Sequence, residues 1–170
     1  MIELYEFALS GNCHKVRLLL SILNVGYKSI LLNSAEGEHK AASFLTKNPL
    51  GQVPVVKDGE IVIRDSQAIL VYLAKAYGGE NWFPNDARKL AGIMEWLSTA
   101  AHEIARGPNA LRLHHKFGRD INLADATKVT DNILYFINSH LASLEWLAND
   151  EVTIADMAVY PYVALAHEGK

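Results

Sequence analysis

Cysteine is almost missing from this sequence: Cys13 stands alone among 170 residues. A single thiol excludes an intramolecular disulfide, and with it the small secreted scaffolds that depend on such staples. Long apolar runs are missing too. The longest, such as Ala68 to Ala74, fall far short of the roughly 20 residues a membrane-crossing helix needs. There is no excess of positive charge, since 16 Lys and Arg against 19 Asp and Glu leave a formal charge of −3. Without a basic stripe to neutralise phosphates, nucleic acid is not an expected partner. The histidines are scattered with no ligand spacing, so no metal site is expected. Met1-Ile2-Glu3-Leu4 lacks the basic start and apolar core of a secretory signal. These absences together point to a soluble chain with no membrane partner in a reducing compartment, most simply the cytoplasm.

What is present is half hydrophobic, enough to bury a real core in one large domain or two small ones. The two parts of the chain differ in pattern. Residues 1–78 alternate short apolar runs with amphipathic stretches. Ile2 to Phe7 predicts a strand, Cys13 to Leu23 a helix with Val16, Leu19, Leu20 and Leu23 on one face, and Tyr27 to Leu32 a second strand. Lys40 to Thr46 predicts a short helix. Val53 to Lys57 and Ile61 to Ile63 flank Asp58-Gly59, a hairpin-turn signal, and Ser66 starts a helix running to Tyr77. The order βαβ, α, β-hairpin, α implies a mixed sheet covered by helices.

Gly78-Gly79 ends that helix, Pro84 precedes the next, and residues 79–85 are expected to link two domains. From 86 to 170 the pattern is all helical. Leu90, Ile93, Met94, Leu97, Ala101 and Ile104 form one stripe; Val129, Ile133, Phe136, Ile137, Leu144 and Leu147 form another. Thr153-Ile154-Ala155-Asp156 has the form of a capping box. In it the Thr153 hydroxyl and the Asp156 carboxylate each accept from the other's amide. Asp156 is therefore expected to serve folding rather than catalysis.

Three short segments carry chemistry. Ser10-Gly11-Asn12-Cys13 leads from the first strand into a helix, whose free amides and partial positive charge favour a thiolate or carboxylate. Ser10 and Asn12 can donate to such a sulfur or simply cap the helix. Val53-Pro54 puts proline inside a strand-like run, which fits either a cis bond that turns the Val53 main chain toward an extended peptide or an ordinary trans edge residue. Asp65-Ser66 either caps a helix or holds the ammonium and carboxylate of an amino-acid head group.

Ser10 to Arg17 (SGNCHKVR), Asn48 to Val55 (NPLGQVPV), Arg64 to Tyr72 (RDSQAILVY) and Val152 to Tyr160 (VTIADMAVY), in that order, resemble the cytosolic glutathione transferase family over essentially the whole chain. The resemblance is to its bacterial, serine-type members. It implies a thioredoxin-like domain (βαβαββα) over 1–78 and an all-helical domain over 86–170, in which the family's last helices are absent. By the same resemblance Ser10 stabilises the glutathione thiolate and Asn12 lies near the sulfur. Val53 pairs its main chain with the cysteinyl part, with Pro54 cis. Asp65, where many relatives carry glutamate, and Ser66 hold the γ-glutamyl head. His39 and Gln52 fall where relatives contact the glycyl carboxylate or the backbone of glutathione. Glutathione is then a co-substrate, with no tightly bound cofactor, and a small hydrophobic electrophile is the second partner. The family also implies a detoxifying homodimer.

Other readings share the fold. The turn has the layout of a C-x-x-C motif with Ser10 in the first position and Cys13 in the second, so dithiol chemistry is lost and Cys13 is expected to be buried and inert. A glutathione-dependent disulfide or peroxide reductase remains an alternative, as does a non-catalytic binding module.

Overall fold

A computed structural model describes Met1–Gly169. The residues divide into two compact units, Met1–Gly79 and a second from Glu80 onward.

In the first unit β1 (Ile2–Glu6), α1 (Gly11–Ile22) and β2 (Tyr27–Leu31) form a parallel crossover, with Ile2 opposite Tyr27 and Glu6 opposite Leu31. A 3₁₀ turn (Glu38–Lys40) and α2 (Ala42–Leu45) follow. The hairpin of β3 (Val55–Asp58) and β4 (Ile61–Arg64) then completes a four-stranded sheet in the order β2-β1-β3-β4. β3 runs antiparallel to both β1 and β4. α3 (Ser66–Leu73) packs beside α1. The core is built mainly from Leu4 and Val55 of the sheet, Val16, Leu19 and Leu20 of α1, and Ile69, Leu70 and Leu73 of α3. This is the mixed, helix-covered sheet that the element order implies.

Several details differ from the sequence pattern. The hairpin loop is Gly59-Glu60, because Asp58 still pairs with Ile61; the positive φ of +58° at Gly59 explains why glycine sits there. The expected helix over 40–46 is broken at Ala41, whose backbone is extended. The helix starting at Ser66 is α-helical only to Leu73 and ends in a π turn over Ala74–Gly78. Tyr5 is half-buried. Its ring meets Phe44 and its hydroxyl donates to Glu3 at 2.9 Å.

The second unit is helical: α4 (Ala87–Ala101), α5 (Glu103–Arg106), α6 (Pro108–Phe117), α7 (Leu123–Leu141) and α8 (Ile154–Ala164). The first predicted stripe runs across a break at His102, and Met94 faces out while Trp96 and Ala100 are buried in its place. The second ends early: α7 stops at Leu141, so Leu144 lies beyond it and is exposed. Among the described residues no helix is long and apolar enough to cross a membrane.

α8 is the most buried of these helices, so water cannot satisfy its first amides. Both halves of the capping box form there. Asp156 does more than the box requires, accepting from the Thr153 amide at 2.9 Å and from the Leu147 amide at 3.0 Å. It thus ties the α7–α8 connection to the start of α8. Asp156→Ala should lower the unfolding free energy by about 2 kcal/mol in urea melts, with Asp156→Asn losing less. An unchanged midpoint would contradict this account.

Candidate functional site

The candidate site belongs to the first unit and is built on two helix N-termini. Ser10 is the N-cap of α1, and its Oγ accepts from the Cys13 amide at 3.3 Å. The two sequence readings of Ser10 are therefore compatible, because accepting from an amide leaves the hydroxyl proton free to donate elsewhere. Asn12 lies in the first turn of α1, which carries no acidic side chain to cancel its positive end.

Asp65 rather than Ser66 caps α3. Its φ of +76° turns the carboxylate back so that Oδ1 accepts from the Gln67 amide at 2.9 Å and the Ala68 amide at 3.1 Å. Of the Asp65-Ser66 pair, Ser66 is the first helical residue and is buried. Its hydroxyl donates to Gln67 Oε1 and approaches Asn12 Oδ1 at 3.4 Å. That last contact, between residues 54 apart in sequence, brings the first turns of α1 and α3 together.

The Val53–Pro54 bond is cis. Pro54 is buried, and Val53 is half-buried and stands just outside the β1–β3 ladder. Gln52 is exposed, while its carbonyl accepts from Asn48 Nδ2 at 2.8 Å. His39 places its ring edge-on to Phe7 at 5.1 Å, and its Nδ1 is buried without a hydrogen-bond partner. Gly51 accommodates the close passage of this segment: with φ at +58°, a Cβ there would meet Lys40 Nζ at 2.7 Å and the His39 carbonyl at 2.8 Å.

Cys13 is completely buried, and burial pushes its thiol up to about 11, against the smaller lowering effect of the Ser10 hydrogen bond. It is a core residue, inert at neutral pH.

Two cations escaped the sequence reading. Lys40 shares the 3₁₀ turn with His39, and its ammonium donates to the Leu50 carbonyl at 3.0 Å. Lys15 is buried on α1, one turn beyond Asn12; burial brings its ammonium down to about 8, while the charge of Asp65 acts in the opposite direction. A lysine between Cys13 and Val16 on an apolar helix face was the available signal.

Lys15 gives stability a pH dependence. An ammonium whose folded pKa lies below its ordinary 10.5 destabilises the fold while both states stay protonated. Stability therefore rises as pH climbs through the folded value and levels off near the unfolded one. Cys13 opposes this above its ordinary 9, because a buried thiol resists ionisation. Between pH 8 and 9 the unfolding free energy should rise by about 1 kcal/mol, and in Lys15→Met it should stay flat. Urea titrations across that window check it; a fall with pH in the wild type would reverse the sign.

The chain is similar to known proteins over nearly its whole length. The family model for the glutathione S-transferase N-terminal domain matches residues 1–75. Glutathione S-transferase GstB of Escherichia coli K12 is 30% identical over 171 residues, covering 96% of this chain and 82% of that protein. Glutathione S-transferase 1 of Dianthus caryophyllus is 29% identical, covering 99% and 78%. A glutathione S-transferase structure from Pseudomonas fluorescens matches with a TM-score of 0.92 at 25% identity, covering 99% of this chain and 85% of that one. A homologue from Drosophila mojavensis, solved with bound glutathione, gives 0.88 at 25% identity, covering 96% and 76%. With a thioredoxin-like unit followed by a helical one, and with nearly all of its own length matched by these relatives, this chain belongs to the glutathione S-transferase family.

Proposed function

We propose that this transferase binds glutathione across the first turns of α1 and α3 and conjugates its thiolate to a small hydrophobic electrophile. The observation that carries the reading is the Asn12–Ser66 contact, which joins two helix N-termini so that one ligand can meet both. The γ-glutamyl carboxylate suits the positive end of α3 beside the Ser66 hydroxyl. Its ammonium suits Asp65, whose capping bonds use only Oδ1. Val53, beside Pro54, offers main-chain groups to the cysteinyl part. His39, with its unpartnered Nδ1, and Gln52, together with Lys40, suit the glycyl end. The family's homodimeric, cytoplasmic and detoxifying habits are carried over as part of the same proposal.

The reaction needs no protein nucleophile. A free thiol has a pKa near 8.5, and lowering it by about two units requires roughly 2.7 kcal/mol of preferential thiolate stabilisation. A charge-assisted bond from Ser10, with Asn12 nearby and the positive end of α1, is of that order. Conjugation then forms a carbon–sulfur bond, and the electrophile's leaving group or opened ring takes the displaced electron pair.

Ser10→Ala should raise the thiol pKa of bound glutathione and cut turnover at pH 7 by about ten- to a hundredfold, with less effect on affinity. Cys13→Ala should leave turnover nearly intact. Glutathione affinity chromatography, and rates against halides, epoxides, peroxides and disulfides, check both. Activity that survives in a Ser10/Asn12 double variant but vanishes in Cys13→Ala would refute the mechanism. Turnover of disulfides or peroxides alone would favour the reductase alternative, and binding without turnover the non-catalytic one. Sedimentation at micromolar concentration should show a dimer; a purely monomeric mass would refute that part.

A further inference from the structure

β1 sends Ile2, Leu4 and Glu6 to the same buried face. The first two are apolar, whereas Glu6 is a carboxylate with 2% exposure. Such a group is costly to bury unless charge and donors complete its surroundings. Here Oε1 accepts from Ser29 Oγ on β2 at 2.6 Å, and Oε2 pairs with the Arg17 guanidinium on α1. The other terminal nitrogen of Arg17 donates to the Ala8 carbonyl at 3.2 Å. One guanidinium therefore grips the chain at residue 6, before the β1–α1 turn, and again at residue 8, inside it, from the helix that follows. The Ser10 amide closes the same turn on the Phe7 carbonyl at 3.2 Å.

We propose that Arg17, anchored by Glu6, is a positioning residue that fixes the Phe7–Ser10 turn and so aims the Ser10 hydroxyl at the glutathione sulfur. The role rests on the glutathione-binding reading above. Geometry rather than charge is what the pair supplies: Glu6 and Arg17 neutralise each other and act in opposite directions on the neighbouring Cys13 thiol. The task demands a fork, because a lysine has one nitrogen and no planar pair of donors to span both acceptors.

The test compares Arg17→Met and Arg17→Lys with Asp156→Ala, a variant weakened in the other unit. Cys13, buried under the turn, is the first reporter: in native protein without glutathione, Arg17→Met should react with iodoacetamide about tenfold faster than Asp156→Ala of similar stability. The second is the thiol pKa of bound glutathione. It should rise in Arg17→Met as far as in Ser10→Ala, rise no further in the double variant, and rise only partly in Arg17→Lys. Glu6→Gln serves the same comparison if Arg17→Met does not fold. An unmoved thiol pKa in a folded Arg17 variant, shifts that add in the double variant, or Cys13 labelling no faster than in Asp156→Ala would each overturn the proposal. Failure of the glutathione reading looks different, since the wild type itself would then leave the glutathione thiol unbound or unshifted.

Discussion

The first amides of a helix have no partners within it, and the demand for acceptors at those positions organises this molecule. Ser10 meets the demand for α1, Asp65 for α3, Asp86 for α4, Asn122 for α7 and Thr153 with Asp156 for α8. α6 lowers it instead by placing Pro108, which has no N–H, at its start. In α8 the cap serves the fold, because the helix is buried and Asp156 also anchors the preceding connection. In α1 and α3 the same device leaves something over: a hydroxyl proton at Ser10, a second carboxylate oxygen at Asp65. The functional chemistry proposed for the first unit is what remains after capping is satisfied.

Buried charge distinguishes the two units. In the first, Glu6 and Lys15 lie within otherwise apolar packing, the former completed by Arg17 and Ser29 and the latter within the field of Asp65. Both flank the start of α1. Replacing such groups with apolar ones is often neutral for stability. In the second unit the buried Arg112 pairs with Glu168, with Lys116 also on that carboxylate. That network fastens the terminal 3₁₀ turn (Ala166–Gly169) onto α6.

Much of the fold was legible because its signals are local. Strand alternation in Ile2 to Glu6, the helical spacing of Val16, Leu19 and Leu20, and the capping box at Thr153 each depend on residues within a turn or two. The pattern was ambiguous where two local signals competed. Asp65 and Ser66 are both good caps, and the choice went to Asp65 because the chain leaves β4 with a positive φ that turns its carboxylate onto the α3 amides. Asp58 and Gly59 both favour turns, and the choice was made by the Asp58–Ile61 pairing.

What the sequence determined by itself was the order of elements in the first unit and the small set of residues able to cap or donate, since these follow from steric preference and hydrogen bonding between near neighbours. Tertiary structure alone decided that Asn12 meets Ser66 across 54 residues, that α4 breaks at His102, and that Glu6 and Lys15 are buried while Met94 and Leu144 are not. The physical reason is the same in each case: burial and pairing of a side chain depend on which distant element packs against it, and no pattern of 2 or 3.6 residues carries that information.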